Sequence, residues 1–258
     1  MIYKRPSVDI IGDMILSMTF PVTIIKKTNN GDGTFILEVD NMYHAQPSFY
    51  VMIGTKKYLI MDIQPATNDV CGGCSNDIMV VKGDPITTDT FNMYPPYFFH
   101  GTPKAYVIET GQEGNEYKKT PSVWFEEQFT DSYDESPLSS IDREIKFTLF
   151  LTTQSNNELW LTDEAYKKAV NTMFRLAQLI IEKIKSMPEL FDLRTLRYDI
   201  ENFAKFGLFV PNKGMEKSLI PERGGVSIEF QPLAIWKGAI ENCYPCHSGG
   251  SIGSGSGS

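Results

Sequence analysis

Apolar residues recur along this chain at two spacings. Near the start, Val8, Ile11, Met14, Ile15 and Met18 fall three and four apart, which lines one face of a helix. That predicts a short amphipathic helix over 7–18, with Ser7 after Pro6 as its N-cap. Pro21 ends it, and "VTIIKK" opens the first strand. From 31 to about 100 every signal is β. The turn cluster "NNGDGT" (29–34) leads into "FILEV", "FYVMIG", "KKYLIMDI" and "DIMVVKG", each bounded by Gly, Asn, Asp or Pro. "MIGTKKYLI" reads as a hairpin turning at Gly54-Thr55. Short strands at this spacing predict a small barrel or sandwich.

"MYPPYFFHGTP" (93–103) is a proline-punctuated connector in which Pro95, Pro96 and Pro103 cannot continue a ladder. "KAYVIETG" and "PSVWFEEQF" then read as strands, and "TDSYDESPLSS" as an acidic, solvated loop. In "REIKFTLFLTT" (143–153), Ile145, Phe147, Leu149 and Leu151 share one face while Glu144, Lys146 and Thr148 share the other. The strongest pattern follows. Tyr166, Ala169, Val170, Met173, Ala177, Ile180, Ile181 and Ile184 keep helical spacing, with Thr162 as cap, Asp163 and Glu164 in the first turn and Pro188 beyond the end. This is a long amphipathic helix laid on a sheet. "RYDIENFAKFG" predicts a further helical piece ending at Gly207, and "GGVSIEFQPLAIW" a final strand.

These elements give an α+β fold: a mixed or antiparallel sheet with a long packed helix, plus an inserted small β-barrel or sandwich subdomain. The expected division is 1–33 with 100–240 as the α+β domain, 34–99 as the β-rich insertion, and 241–258 as a Cys-containing, Gly/Ser-rich tail.

Composition adds two constraints. The 16 Phe and 12 Tyr among 258 residues predict a core rich in rings. The net charge of −8, without a dense Lys/Arg run, disfavours gripping a nucleic-acid backbone, although an acidic wall lets a strand slide past. The N-terminal apolar stretch is interrupted by Asp9 and Asp13 and lacks a small-residue cleavage site. No run approaches the ~20 apolar residues of a membrane span, so a soluble, cytosolically made protein is expected.

Candidate chemistry is sparse. His44, His100 and His247 lie in separate segments, and no nucleophile elbow or phosphate cradle accompanies them. His100 in "FFHGTP" reads as a packing histidine. Glu126 and Glu127 are adjacent on a strand and face opposite ways, so they form no dyad. No enzyme is expected. The four cysteines form two C-x-x-C pairs, Cys71 with Cys74 in "CGGC" and Cys243 with Cys246 in "CYPC". "CYPCH" has the form of a c-type haem signature. The tail around it has little apolar material to wrap a porphyrin, which excludes that reading. Two such turns would make a tetrahedral structural zinc site across the length of the chain; unligated thiols are the other reading. A zinc-stabilised cytosolic adaptor or binding module without catalytic activity follows from the first.

The order of an N-terminal helix, "TPSVWFEEQF", an acidic loop, "REIKFTLFL", a long helix and "VSIEFQPL" resembles the tail-terminator and neck-ring proteins of tailed phages. Pro121, Val123 and Glu127 stand at the places of that family's P-x-V-x-x-x-E strand. The style of the chain is similar to virion proteins of crAss-like phages. The resemblance spans about 1–28 and 100–236, and leaves 34–99 as an insertion. It implies a structural head-to-tail connector without catalytic residues. Such a protein is a homo-oligomeric ring of six or twelve copies in the virion neck or tail, beside portal, ring or tail proteins. DNA passes through its channel without specific binding. Acidic stretches such as 131–135 would line the channel or meet neighbouring rings.

Overall fold

Hairpins whose turns are written in the sequence generate the first sheet. The computed structural model of the protein describes residues 6–47, 49–66, 76–102, 105, 121–126, 129–136, 138–154, 166–203 and 223–237. β1 (Phe20–Asn29) pairs antiparallel with β2 (Thr34–Val39) across a turn in which Gly31 and Gly33 hold φ of 83° and 81°, a region glycine occupies without a Cβ clash. β3 (Tyr50–Ile53) and β4 (Lys56–Gln64) form the expected hairpin about Gly54. β5 (Asp77–Lys82) and β6 (Thr90–Met93) complete a six-stranded sheet in the order β3-β4-β5-β2-β1-β6. Its edge strands β3 and β6 border a common cleft without sharing a ladder, which leaves a nearly closed barrel.

Alternation places the barrel core. Phe35, Leu37 and Val39 of β2 are buried, with half-exposed residues between them. In β4 the buried residues are Tyr58, Ile60 and then Ile63, because a bulge between Ile60 and Asp62 reverses the parity of the strand. The boundary expected between 33 and 34 falls within the β1–β2 turn. Pairing therefore joins β1 to the strands of 34–99.

The second sheet comprises β7 (Tyr97–Gly101), β8 (Ser122–Glu126), β9 (Thr130–Tyr133), β10 (Ile141–Gln154), β11 (Tyr198–Phe203) and β12 (Arg223–Trp236). The order is β11-β12-β10-β8-β7, with β9 pairing on β10; β7 and β8 run parallel and the other pairs antiparallel. On β10, Ile145, Phe147, Leu149 and Leu151 are buried as the alternation requires, while Glu144 and Lys146 are exposed. Phe150, on the opposite parity, is buried because its ring stacks on Trp124 at 4.7 Å.

The expected wealth of rings takes an ordered form. Phe98 of β7, Phe125 of β8, Phe147 of β10, Phe230 of β12 and Tyr198 of β11 follow one another across five neighbouring strands. Successive centroids lie 6.4, 5.2, 4.6 and 6.1 Å apart. Such pairs contribute about 0.5–1.5 kcal/mol each beyond area burial.

Two helices cover this framework. α1 (Ser7–Leu16) buries Ile10, Ile11, Met14 and Ile15 and packs by β7, where Gly12 lets the Phe98 ring approach. A π-helical turn, Tyr166–Val170, leads into α2 (Asn171–Lys185), which lies on β10 and β12. Met173, Leu176, Ala177, Ile180, Ile181 and Ile184 of α2 are buried, and each large side chain among them contributes about 1.5–3 kcal/mol. Helix and sheets together make a mixed α+β protein dominated by strands. No helix among the described residues is long and apolar enough to cross a membrane.

Three local expectations are corrected. Pro6, not Ser7, is the cap residue of α1; Ser7 is the first helical residue, and its Oγ donates to Asp131 Oδ1 at 2.7 Å. Residues 130–133 of the acidic stretch form β9, with Asp131 turned to that serine, because β10 offers them a ladder from Arg143 to Lys146. Residues 198–203, read as helical, form β11, since the edge of β12 from Gly225 to Phe230 pairs with them residue by residue. In each strand a long-range partner outweighs a weak local pattern. The proposed helix cap Thr162 and the end at Gly207 lie outside the described residues.

Polar contacts join the halves. Asp77, at the start of β5 and 5% exposed in its side chain, accepts from Arg175 of α2 at 2.9 and 3.4 Å. The same carboxylate accepts the backbone N–H groups of Met42 and Ala66. Lys168 reaches Asp62 of β4 at 3.2 Å.

Candidate functional site

The loop between β2 and β3 is held by hydrogen bonds to its backbone that fix two of its polar side chains, His44 and Gln46. The carboxylate of Asp77 takes the Met42 N–H at 2.9 Å, and Asn41 Oδ1 takes the Tyr43 N–H at 2.7 Å. Tyr43 itself sits at φ 47°, a left-handed conformation a tyrosine adopts only under constraint. The Ala45 N–H closes a turn on Met42 O at 2.8 Å. This backbone turns His44 inward, where it is 2% exposed and lies edge-on to Phe20 at 4.6 Å. Gln46, two residues on, is 1% exposed.

The hydrogen bonds assign both side chains. His44 Nε2 lies 2.7 Å from Tyr94 O; a carbonyl only accepts, so Nε2 carries the proton and donates. Burial pushes the imidazole down to about 4, partly opposed by that hydrogen bond. The ring is therefore neutral at pH 7, and Nδ1 presents a lone pair. Gln46 donates its amide nitrogen to Lys168 O on the π-helical turn, which leaves Oε1 as an acceptor. Among the described residues neither Nδ1 of His44 nor Oε1 of Gln46 has a hydrogen-bond partner, and both atoms are closed to solvent.

Both residues border one cavity of about 500 Å³. Phe49, Tyr50 and Met52 contribute from the start of β3, and Met93 and Tyr94 from the end of β6. Pro121 contributes from the residue before β8, so the cavity lies between the two sheets. Lys57 places its ammonium 3.9 Å from the Tyr50 ring centroid, a cation–π contact. The arrangement is a largely apolar recess with two buried acceptors. Among the described residues that line it there is no nucleophile–base pair and no pair of carboxylates.

The sequence gives His44 no partner in a catalytic spacing, and no motif marks Gln46. A His and a Gln two apart in "NMYHAQP", among Met42 and Ala45 that pack inward, are the only local signal. The residues that complete the recess come from 93–95 and 121, beyond the reach of spacing.

The other sequence candidates divide cleanly. Cys71, Cys74, Cys243 and Cys246 lie outside the described residues, as do His247 and Glu127. Among the described residues no cluster of three His, Cys, Asp or Glu side chains is placed to hold a metal. His100 is exposed on β7, edge-on to Phe125 and Phe129 at 5.6 and 6.0 Å, as a packing histidine would be. Half-burial, with Glu229 nearby, raises the Glu126 carboxyl. Val123 is fully buried in β8. Asp131, nominated for a channel wall, faces inward: Arg143, itself wholly buried, lies 3.7 Å from it and donates to Asp142 at 2.9 Å. Compared with known proteins, the chain matches no family model, no curated protein and no solved structure.

Proposed function

We propose that this chain is a structural subunit of an oligomeric ring in the neck or tail of a phage virion. As a head-to-tail connector it would join portal to tail around the DNA channel. One observation carries the reading: α2 lies across β10 and β12, with β8 beside β10 and α1 at the β7 edge. This is the element order on which the resemblance to tail-terminator proteins rests. The net charge of −8 supports a wall that repels phosphate and lets DNA slide. With Asp131 turned inward, exposed carboxylates such as Glu135 are the better candidates for that wall. The barrel would serve as a decoration or as a grip on an adjacent ring.

Native mass spectrometry of the purified chain tests this. A closed species of six or twelve copies is the expected result. A monomer that persists at high concentration, and also when mixed with portal and tail proteins, overturns it. Spectra taken with and without a strong chelator read whether the two C-x-x-C pairs hold a zinc ion, which would be a structural role.

A further inference from the structure

The β1–β2 turn carries chemistry that the ring reading does not use. Its "NNGDGT" contains the one Asn-Gly pair of the sequence, Asn30-Gly31, and the one Asp-Gly pair, Asp32-Gly33. Residues 28–33 are all exposed, and a Cβ built on Gly31 would meet nothing within 4 Å. The backbone nitrogen of Gly31 therefore stands in open space, with no side chain of its own to shield it.

Hydrogen bonds set the two pairs apart. The Gly31 N–H donates to Asn29 Oδ1 at 2.8 Å, so an acceptor already lies on the proton that a nucleophilic nitrogen must release. Asn30 donates its side-chain amide to Thr34 Oγ1 at 3.0 Å, which keeps that amide at the turn. Asp32 instead accepts both the hydroxyl and the N–H of Thr34, at 2.5 and 2.9 Å. Those bonds, the hydroxyl's first, hold the Asp32 carboxyl below the usual carboxylate range. An ionised carboxylate resists attack by a nucleophile, whereas a neutral amide does not carry that protection.

We propose that Asn30 is a site of spontaneous modification, converting to aspartate and isoaspartate in the folded protein while Asp32 beside it is spared. The Gly31 nitrogen bonds to Asn30 Cγ as the Cγ–Nδ2 bond breaks. The proton that Gly31 loses leaves with Nδ2 as ammonia, and a cyclic imide remains. Water then adds to one of the two imide carbonyls and breaks that carbon's bond to the nitrogen. Opening at Cγ gives aspartate; opening at the backbone carbonyl gives isoaspartate. Nothing is oxidised or reduced. Either product replaces a donor to Thr34 with a carboxylate beside Asp32, which leaves two acceptors for one hydroxyl proton. Isoaspartate also lengthens the backbone by one atom next to the Asn29–Phe35 pair that ends the β1–β2 ladder. Loss of ammonia makes the step one-way, so the turn records the age of each molecule.

The test incubates the full chain in mildly alkaline buffer beside a synthetic peptide of residues 27–36, with samples taken over time. Digestion, isoaspartyl methyltransferase labelling and electron-transfer fragmentation read the position of each change. The expected result is the mass gain of an amide turned to an acid at Asn30, in the folded chain as in the peptide. Isoaspartate should appear at 30 and not at 32 of the folded chain. Asn41 and Asn92, followed by Met42 and Met93, should stay unchanged. Asn30→Gln, whose longer side chain closes the ring poorly, should abolish the gain in a chain that stays folded. An Asn30 that remains intact in the folded chain while the peptide converts overturns the proposal. Isoaspartate as abundant at 32 as at 30 overturns it too, because the Thr34 bonds then protect nothing. An undiminished gain in the Asn30→Gln chain also overturns it, since the reaction then lies elsewhere.

Discussion

The two sheets bury basic side chains by opposite means. In the second sheet Arg143 has no exposed surface, and an arginine keeps its charge wherever it sits. The fold therefore gathers Asp142, Asp131, Ser7 and the Tyr133 hydroxyl around it, from β9, β10 and the first residue of α1. Beside the first sheet His44 is almost as deep but meets the Phe20 ring and the Tyr94 carbonyl. Burial there removes the charge instead of compensating it. A charge that cannot be shed recruits partners from distant segments, whereas a base that can be neutralised needs only one carbonyl and leaves a lone pair for other use.

The most severe way to break the second sheet is through its backbone. A Cβ on Gly225 would lie 1.9 Å from Leu151 O on the neighbouring strand, where nothing can swing aside. Gly225→Ala is expected to destabilise by more than about 4 kcal/mol, read as loss of folded protein or a collapse of the denaturation midpoint.

Removing the compensated charge comes next. Arg143→Ala strands two carboxylates and should cost about 3–5 kcal/mol in urea unfolding. Arg175→Ala should cost clearly less, since Arg175 is about one-third exposed and Asp77 keeps the Met42 and Ala66 N–H groups. Equal losses for the two variants would refute the contrast between a buried charge and a boundary one.

The neutralised base gives a smaller, pH-dependent effect. His44 titrates at about 4 when folded, against 6.5 for an unperturbed histidine. Between those values the unfolded chain binds the proton and the folded one does not, so stability rises with pH. The contribution is complete above pH 6.5 and is lost as pH falls toward 4, a span of about 3 kcal/mol. Unfolding curves at pH 7 and 4.5 for the native chain and for His44→Phe isolate it. The variant should lose much of the acid sensitivity, and an unchanged slope would place the effect in other groups.

How far the sequence reveals this molecule depends on where each signal originates. β2, β10 and α2 carry their own periodicity, because each buries one face and exposes the other, and they form as the pattern requires. β9 and β11 are short and charged, and exist because β10 and β12 offer them ladders. Local composition has no record of that partner, so the first read as a loop and the second as a helix. The recess was less legible still. His44 and Gln46 are ordinary loop residues until the fold sets β3, β6 and Pro121 around them.

Asp77 shows what one side chain does to the melting of a two-sheet protein. It begins β5, receives the loop before β3 and the segment after β4, and holds Arg175 of the helix that belongs to the other sheet. Opening the barrel would strand that arginine, and lifting the helix would strand the carboxylate. The two halves are thermodynamically coupled at this point, so heat should unfold them in one calorimetric transition, and Asp77→Ala should split it into two.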